Sequence, residues 1–568
     1  MSTTPSSVLP AERIQVIPAG ALPVIKALLD ELKVSETINA LVPNAAAEYA
    51  FGEVAEVVIA SRLQGVPLPV YAIADWAAET AVPAVFGLPA EKLNDDRIGA
   101  MLDALRPQRV AIWGRVLSRA VQRFGVDLNT LHADPTKIAF EGAYEGWEAL
   151  PADVPQITYG KPKDGQVDRK LLTLSSLVSE DGGVPAWFGL DDGNQADDLT
   201  YLKDLRELRA NLPLGEVLVI AGDSKLPSRT NLGQLCQWGY QFVATEPWRA
   251  ARRERLTKLV RRGAQWQVLD YVAEADRPKP PAERGRYECL ADTDELSDPA
   301  TGQKYPVRRL YIRSSRKAEQ TQAKRERQVA VIQAELERMQ GLLNKYDYTT
   351  LETVRARVAK ALRRNATGQY FDVQVSKTRA QVTPLRLKWT LNRKRLRAAA
   401  QWDGVYSVLT NLPEKTHPPS AVLEIYKDQH QVEGRFRDLN QLPVRVRPLW
   451  LKRPDRLETL VFLIMLAVLV FALIERQVRR AIARTGQKIT GLMPEKRDTT
   501  TPKGGRLLKA FDGLSVVKIE QGHHLRYLLS ELSSVQRQII QALGLAELST
   551  YLAGLASSVR HSAAAVTG

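Results

Sequence analysis

The chain has 568 residues, of which 44% are hydrophobic and 25% charged, and its formal net charge is +15. This composition is typical of a folded protein with several domains and excludes a disordered or fibrous chain. The only two cysteines, Cys236 and Cys289, exclude a disulfide scaffold and a Cys-type zinc site, which fits a reducing, cytoplasmic compartment.

Residues 1–125 are predicted to form a helical N-terminal domain. Amphipathic segments such as FGEVAEVVIASRLQ and DDRIGAMLDAL alternate with Pro, Gly or Asn, and Asn94 is a candidate N-cap. The opening segment MSTTPSSVLPAERIQVIPAG lacks the basic start and apolar centre of a signal peptide. Short helices with tight connections favour a reader of DNA ends, but a pure packing role explains them equally well.

Residues 126–245 alternate between strand and helix patterns. LHADPTKIAFEG is a predicted strand, and RKLLTLSSLVSEDGGVPAWFGLDDG a hairpin that turns at Glu180–Gly183. The helix DDLTYLKDLRELRANL, the buried strand LGEVLVIAGDS, another helix and the strand WGYQFVATE follow. This order predicts a mixed α/β sheet with helices on its faces.

Residues 246–410 interrupt that sheet with a basic, β-rich block that contains a long helix from Lys317 to Leu342. Residues 301–400 hold 24 Lys or Arg and 7 Asp or Glu, a net +17, so the rest of the chain is close to neutral. Such concentrated charge favours a polyanionic partner, although a solvated basic helix face remains an alternative. We interpret the block as an insertion domain between two halves of the sheet domain.

Residues 411–485 are predicted to complete the core, and residues 486–568 to form a helical C-terminal region. AVLEIYKDQHQVEGRFRDLN is predicted as one helix, and one face of it carries Tyr426, Gln429, Glu433, Phe436 and Asn440. The apolar run LVFLIMLAVLVFALI is shorter than the roughly 20 residues that span a bilayer. We therefore expect a helix buried on all sides and no membrane association.

Three acidic residues are candidates for catalysis. Asp134 lies in the strand-like LHADPT, Asp223 ends the apolar strand VLVIAGDS, and Glu433 lies on the predicted helix. Each Asp alone is more often a turn or cap residue. Together, three carboxylates in a basic protein are able to hold two Mg²⁺ (or Mn²⁺) ions for phosphoryl transfer on nucleic acid.

Several segments carry a resemblance to a known family. YGKPKDGQVDRKLLTLSSLVSEDGGVPAWFGLDDGNQADD, VIAGDSKLPSRTNL and the termini of the chain resemble DDE transposases of bacterial insertion sequences, in the insertion sequence 4 superfamily and its 1634 branch. The resemblance implies a ribonuclease H-like core interrupted by a β-rich insertion domain. It also implies cleavage at terminal inverted repeats, joining of 3′-hydroxyls to target DNA, and a homodimer on paired double-stranded ends.

The resemblance assigns Asp134, Asp223 and Glu433 as the metal-binding catalytic triad. The family's helix motif is matched by Tyr426 and Glu433, but Gln429 stands where Arg is usual and Asn440 where Lys is usual. The expected DNA contacts on this helix are Tyr426, Lys427, Gln429, Arg435, Arg437 and Asn440. Because two cations are replaced by amides, two alternatives stay open: a catalytically impaired DNA-binding protein, and a structure-selective nuclease.

The remaining aromatic and His residues are weaker candidates. A Trp in the insertion domain is able to hold a flipped base, but packing is favoured for each of Trp248, Trp266, Trp389 and Trp402. His430 is expected to be a surface residue that forms hydrogen bonds. The pair His523-His524 lacks the spacing of a zinc site.

Overall fold

The computed structural model divides the chain into two compact units, residues 1–242 with 427–568, and residues 243–426. The structure describes residues 12–44, 48–65, 68–140, 144, 151, 153–160, 169–212, 218–379, 382, 384–440, 451, 453–495, 498–521, 524–545 and 548. Each unit is described by itself below, in chain order.

The first unit begins with a strand followed by helices. These are β1 (Glu12–Pro18), α1 (Leu22–Glu31), α2 (Val34–Leu41), α3 (Phe51–Leu63), α4 (Ile73–Ala78), α5 (Val82–Phe86), α6 (Asp95–Leu105) and α7 (Arg109–Phe124). Asn94 caps α6, because its side chain accepts a hydrogen bond from the backbone N–H of Arg97. The predicted N-cap is therefore confirmed.

The central sheet of the first unit follows. Its elements are β2 (Thr130–Phe140), β3 (Thr158–Tyr159), β4 (Lys170–Ser179), β5 (Pro185–Asp192), α8 (Asp197–Asn211), β6 (Val219–Gly222) and α9 (Arg229–Gln237). β4 pairs antiparallel with β2, β3 and β5, whereas β2 pairs in parallel with β6. The turn between β4 and β5 places Gly182 and Gly183 at positive φ, 84° and 65°, which explains the Gly-Gly pair. A mixed α/β sheet was predicted, and that prediction is confirmed.

The second unit contains a series of antiparallel strands and a helical part. The chain enters this unit along β7 (Gln241–Glu246). The elements that follow are α10 (Ala250–Arg261), β8 (Gln267–Val268), β9 (Tyr287–Ser297), β10 (Lys304–Ser314), α11 (Ser315–Leu342), α12 (Leu351–Leu362), β11 (Phe371–Lys377), β12 (Leu385–Leu391), α13 (Arg393–Ala400), β13 (Val405–Thr410) and α14 (Pro419–Lys427). The strand order is β7-β13-β10-β9-β8, while β11 and β12 form a separate pair.

The chain then returns to the first unit. The elements are α15 (His430–Asn440), α16 (Pro454–Thr485), α17 (Gly504–Lys509), β14 (Ser515–Gln521), β15 (His524–Leu529) and α18 (Ser534–Leu543). The 32-residue α16 is long and apolar enough to cross a membrane, but its apolar window is 100% buried within the protein. It packs against α3, α6, α7, α17, α18 and β5. α16 is thus a core helix, as predicted.

Two sequence-based expectations are wrong. The terminal regions are not purely helical, because β1 pairs antiparallel with β14, and β14 with β15, to form a three-stranded sheet. The stretch from Ala421 to Asn440 is not one helix, because α14 ends at Lys427 and α15 begins at His430. Pairing between strands near opposite ends of the chain leaves no local signal, and Asp428 in the break is a residue type that competes with helical hydrogen bonds.

Candidate active site

Asp134 and Asp223 occupy matching positions on neighbouring parallel strands. The parallel register of β2 and β6 ends with the pair Ala133 and Gly222, and each Asp is the next residue along its strand. Both side chains are half-buried. The two residues therefore lie beside each other where the parallel pairing of β2 and β6 ends, although β2 itself continues to Phe140. The carboxyl end of a strand such as β6 is the position at which open α/β sheets form their active sites.

Pro135 lies just beyond the point at which the parallel pairing of β2 and β6 ends. It follows Asp134 directly. Its missing N–H therefore removes no hydrogen bond from the parallel ladder, whereas β2 continues its pairing with β4 on the other side.

The carboxylate of Asp223 is held from two directions. Its Oδ1 accepts hydrogen bonds from the backbone N–H of Lys225 at 2.9 Å and from the Tyr201 hydroxyl of α8 at 3.1 Å. The preceding Gly222 is required by close packing, since a Cβ there would lie 2.7 Å from a Leu226 side-chain carbon. A tight turn after β6 thus fixes the orientation of Asp223.

α15 is anchored beside β2 at its start. The Nε2 of Gln429 donates to the carbonyl oxygen of Ala133 at 3.1 Å, and its Oε1 lies 3.4 Å from the Nδ1 of His132. These are the two residues immediately before Asp134. Glu433 is one turn further on, since its N–H points to the carbonyl oxygen of Gln429 at 3.4 Å.

A second anchor holds the middle of α15. Arg435 is 5% exposed, and its guanidinium donates to the carbonyl oxygens of Gly183 and Gly182, both at 2.9 Å, and to Asp438 at 2.8 Å. The two anchors bracket Glu433, whose own side chain is exposed to solvent. The backbone of the helix is therefore fixed at the position of the third acid, while the carboxylate itself is not enclosed.

These anchors engage two of the predicted DNA contacts within the protein. Arg435 is buried and fully engaged with the turn between β4 and β5, so it is not available to compensate for a missing cation. The amide of Gln429 is used within the protein rather than presented to phosphate. Among the other predicted contacts, Lys427 is half-buried and Arg437 exposed. The side chain of Asn440 lies outside the described residues.

Tyr426 lies on α14, and the helix break removes it from the face that carries Glu433. Its ring is half-buried, with its centroid 5.7 Å from that of Tyr406 in the second unit. Both rings therefore share an aromatic contact, which is a packing role. Stacking of Tyr426 on DNA remains a prediction.

His132 is a neighbour of the site that the sequence reading missed. It is fully buried, its Nε2 has no hydrogen-bond partner among the described residues, and burial lowers its pKa to about 4, against the opposing effect of its bond to Gln429. The imidazole is therefore neutral at physiological pH. Side chains two residues apart on a strand lie on the same face of the sheet, so the sequence of β2 could have predicted that His132 lies beside Asp134.

The donor chemistry of the three acids fits a hard divalent cation, but their arrangement fits it only in part. Oxygen ligands are those that Mg²⁺ prefers, and the two Asp carboxylates are neighbours. Within the described part of the chain, no group of three or more His, Cys, Asp or Glu side chains is positioned to hold a metal ion. The exposed Glu433 must turn toward the Asp pair to complete such a site.

The weaker candidates have packing or surface roles. Trp248 and Trp402 contact each other with ring centroids 5.9 Å apart, and Trp389 packs on Phe371 at 5.9 Å. Trp266 lies under the guanidinium of Arg313 at 4.0 Å. The exposed His430 lies with its Nδ1 3.0 Å from the carbonyl oxygen of Lys427, whereas His523 and the side chain of His524 lie outside the described residues.

Comparison with known families identifies the class of protein that this site belongs to. A family model described as a transposase DDE domain matches residues 131–470, and one described as a domain of unknown function (DUF4277) matches residues 14–111. The first match covers more than half of the chain and includes Asp134, Asp223 and Glu433. The protein belongs to the family of the transposase DDE domain.

Similarity to individual proteins is weaker. A cryo-EM structure of the piggyBac transposase synaptic complex with hairpin DNA is similar at a TM-score of 0.36 and 10% identity, over 96% of this chain and 87% of that one. Similarity at this level carries no argument about mechanism. No curated protein matches the chain.

Proposed function

We propose that this protein is a transposase of the insertion sequence 4 superfamily, in its 1634 branch, that moves its own element. It cuts both ends of the element at terminal inverted repeats and joins the freed 3′-hydroxyls to target DNA. The proposed active form is a homodimer on paired ends in the bacterial cytoplasm. The proposed insertion domain comprises residues 246–410, between residues 126–245 and 411–485 of the core.

The observation that carries this proposal is the register of β2 and β6. Asp134 and Asp223 follow the last residue pair between these parallel strands and so lie next to each other, in a family whose chemistry is phosphoryl transfer on DNA. Two carboxylates at neighbouring positions on adjacent strands are able to bind the same metal ions. Glu433, bracketed by the anchors at Gln429 and Arg435, is the proposed third ligand.

The residues of this chain would bind and orient the reacting groups. Asp134, Asp223 and Glu433 would hold two Mg²⁺ or Mn²⁺ ions, which, when bound, activate the attacking oxygen and stabilise the leaving oxygen. The bonds from Tyr201 and the Lys225 N–H leave Oδ2 of Asp223 as the oxygen that is proposed to face the metal. The neutral, buried His132 adds no charge that would compete with the cations.

The chemistry has two displacements at phosphorus. In the first, a water oxygen attacks the phosphodiester at the element end, the bond from phosphorus to the 3′-oxygen breaks, and a free 3′-hydroxyl results. In the second, this hydroxyl loses its proton, attacks a target phosphodiester and releases a new 3′-hydroxyl in the target. Of the predicted DNA contacts, the exposed Arg437 and the half-buried Lys427 and Tyr426 remain proposed, as does Asn440.

The test is cleavage and joining by a variant that removes only one negative charge. We expect Glu433→Gln to abolish cleavage of a duplex carrying the terminal repeat in Mg²⁺, by at least about 10³-fold, while end binding in EDTA stays within about threefold. Glu424→Gln is the matched control, because Glu424 is an exposed acid on the preceding helix, α14. That control is expected to retain wild-type cleavage.

Pre-cleaved ends distinguish the alternatives. Joined product from wild-type protein supports the transposase, whereas release of hydrolysed ends without joining identifies a nuclease. Binding without either reaction, in Mg²⁺ and in Mn²⁺, identifies a catalytically impaired DNA-binding protein. Unchanged cleavage by Glu433→Gln would remove Glu433 from the site.

A further inference from the structure

The paired strands β11 and β12 form a rigid two-stranded ribbon in the second unit. Their antiparallel register runs from the pair Phe371 and Leu391 to the pair Lys377 and Leu385. One face of the ribbon is apolar and joins a buried cluster with α11 and α12. The ribbon residues in this cluster are Phe371, Val373, Val375, Leu385, Leu387, Trp389 and Leu391. An isolated hairpin is marginally stable, but packing on helices stabilises it.

Side chains of α11 and of the turn after it also fix the outer edge of β12. The Nε2 of Gln340 donates to the carbonyl oxygen of Leu387 at 3.1 Å. The side chain of Asn344 donates to the carbonyl oxygen of Leu385 at 3.2 Å and accepts from its N–H at 2.9 Å. These bonds satisfy backbone groups that an edge strand would otherwise expose. The position of the ribbon on the long helix is therefore well determined.

The opposite face of the ribbon is polar and open to solvent. Lys388 lies opposite Gln374, and Arg386 lies opposite Ser376. Gln374, Arg386 and Lys388 are exposed, and within the described part of the chain no ion pair or side-chain hydrogen bond engages Arg386 or Lys388. Two cations and an amide thus lie close together on the solvent-facing side of the ribbon.

Acidic residues around the ribbon do not offset these charges. Residues 315–400 carry 20 Lys or Arg against 7 Asp or Glu. The one acid on the exposed face, Asp372, is already bonded to Arg395 at 2.9 Å and to the Nδ2 of Asn392 at 2.8 Å. The ribbon face therefore presents uncompensated positive charge, and its complement is a polyanion.

We propose that this ribbon docks into the major groove of double-stranded DNA, with Arg386 and Lys388 on phosphates and Gln374 at base edges. The major groove of B-DNA, about 12 Å wide, admits a two-stranded ribbon, whose strands lie about 4.8 Å apart. A Gln side chain is suited to bidentate hydrogen bonding with adenine. The identification of that DNA as the end of the element rests on the proposed function, but the groove-binding surface itself does not.

The experiment measures duplex binding by fluorescence anisotropy, with the full-length protein in EDTA. The probes are a labelled duplex of about 30 base pairs that carries the terminal repeat of the element, and a duplex of the same composition in shuffled order. The double variant Arg386→Gln/Lys388→Gln is compared with Arg355→Gln/Arg363→Gln. The control removes the same charge from exposed positions on and directly after α12, away from the ribbon.

Loss of two phosphate contacts has a defined signature. The slope of log K against log salt should fall in magnitude by about 1.8, since each contact contributes about 0.9, and the Kd at 0.1 M salt should rise about 60-fold. The control should change the Kd less than about threefold. Gln374→Ala should leave binding to the shuffled duplex unchanged and weaken binding to the terminal repeat by about 5- to 100-fold.

Other results would overturn the proposal. Equal losses in the two double variants would mean diffuse electrostatic binding without a ribbon site, and unchanged binding by the ribbon variant would mean no contact. Equal affinity for duplex RNA would exclude major-groove docking, because the RNA groove is too narrow. Circular dichroism verifies that each variant is folded, which their exposed positions lead us to expect.

Because no metal is present, the binding assay is independent of strand transfer. Loss of binding in the ribbon variant, together with a wild-type protein that never cuts DNA, would leave the ribbon proposal standing and refute the proposed function. Cleavage of the terminal repeat by a ribbon variant with unchanged Kd and salt slope would refute the ribbon proposal and leave the proposed function standing.

Discussion

Asp204 on α8 offers a direct test of how the first unit is held together. Its side chain is 1% exposed, and burial raises its pKa from 3.8 to about 8. The neighbourhood is tight, since a Cβ on Gly189 would lie 2.3 Å from the Oδ1 of Asp204 and 2.8 Å from the hydroxyl of Ser175. The folded protein therefore keeps this carboxyl protonated at neutral pH, whereas the unfolded chain ionises it.

The sign and size of the effect follow from that difference. Because the folded pKa lies above the unfolded value, Asp204 destabilises the fold progressively as the pH rises from about 4 to about 8, by about 1.4 kcal/mol per pH unit. Between pH 5 and pH 7.5 this amounts to about 3 kcal/mol. Asp204→Asn carries no ionisable proton, so the variant should lose this part of the pH dependence and be more stable than the wild type at pH 7.5.

The assay compares thermal unfolding midpoints at pH 5 and pH 7.5, at one scan rate, for the wild type, Asp204→Asn and Asp198→Asn. Asp198 lies half-buried on the same helix and serves as the control. Glu56 also has a raised pKa, about 7, and contributes its own pH dependence in all three proteins. The effect of Asp204 is therefore the difference in pH dependence between the wild type and Asp204→Asn. Hydrogen exchange of peptides from α8 localises the effect. Parallel pH dependence in the wild type and Asp204→Asn would refute the reasoning.

Two further predictions concern the residues that position the site. Tyr201→Phe removes the 3.1 Å bond to Asp223 and should lower the cleavage rate about 5- to 20-fold while costing about 1 kcal/mol of stability at most, as measured by single-turnover kinetics and thermal unfolding. Arg435→Met leaves two carbonyl oxygens without their donor and removes one of the cations near the buried Glu475, which keeps Arg479. It should cost about 3 kcal/mol, visible as a lowered unfolding midpoint. Arg437→Met, an exposed position two residues away, should leave that midpoint unchanged.

The sequence predicted the elements that have a strong local pattern. The run of α16 is apolar on every side, which predicted burial, and the Glu-Asp-Gly-Gly turn predicted the hairpin of β4 and β5. The strand that ends just before Asp223 followed from the same kind of signal, whereas Asp134 lies inside β2 and not at its end. Each of these features is encoded within one short, continuous segment, so a single sequence reveals it.

Features that depend on distant partners were not predictable. β1 pairs with β14 from the other end of the chain, and neither strand shows a long alternating pattern. The break before α15 is stabilised by a bond from Gln429 to a strand far upstream. The side chain of Gln429 thus has a role within the protein, because its amide donates to a backbone carbonyl oxygen and its oxygen lies beside the ring of His132.

The open arrangement of the three acids has a physical reason. Two carboxylates already lie side by side at Asp134 and Asp223, and a third at about 4 Å would add about 4 kcal/mol of repulsion per pair at an effective dielectric constant near 20. Without cations, the lower-energy position for the Glu433 side chain is in solvent. The anchors at Gln429 and Arg435 fix only the backbone of α15, so a rotation of the Glu433 side chain is the movement that the proposed metal site requires. A helix whose backbone is fixed on both sides of Glu433 would therefore let the proposed third ligand stay in solvent until cations bind.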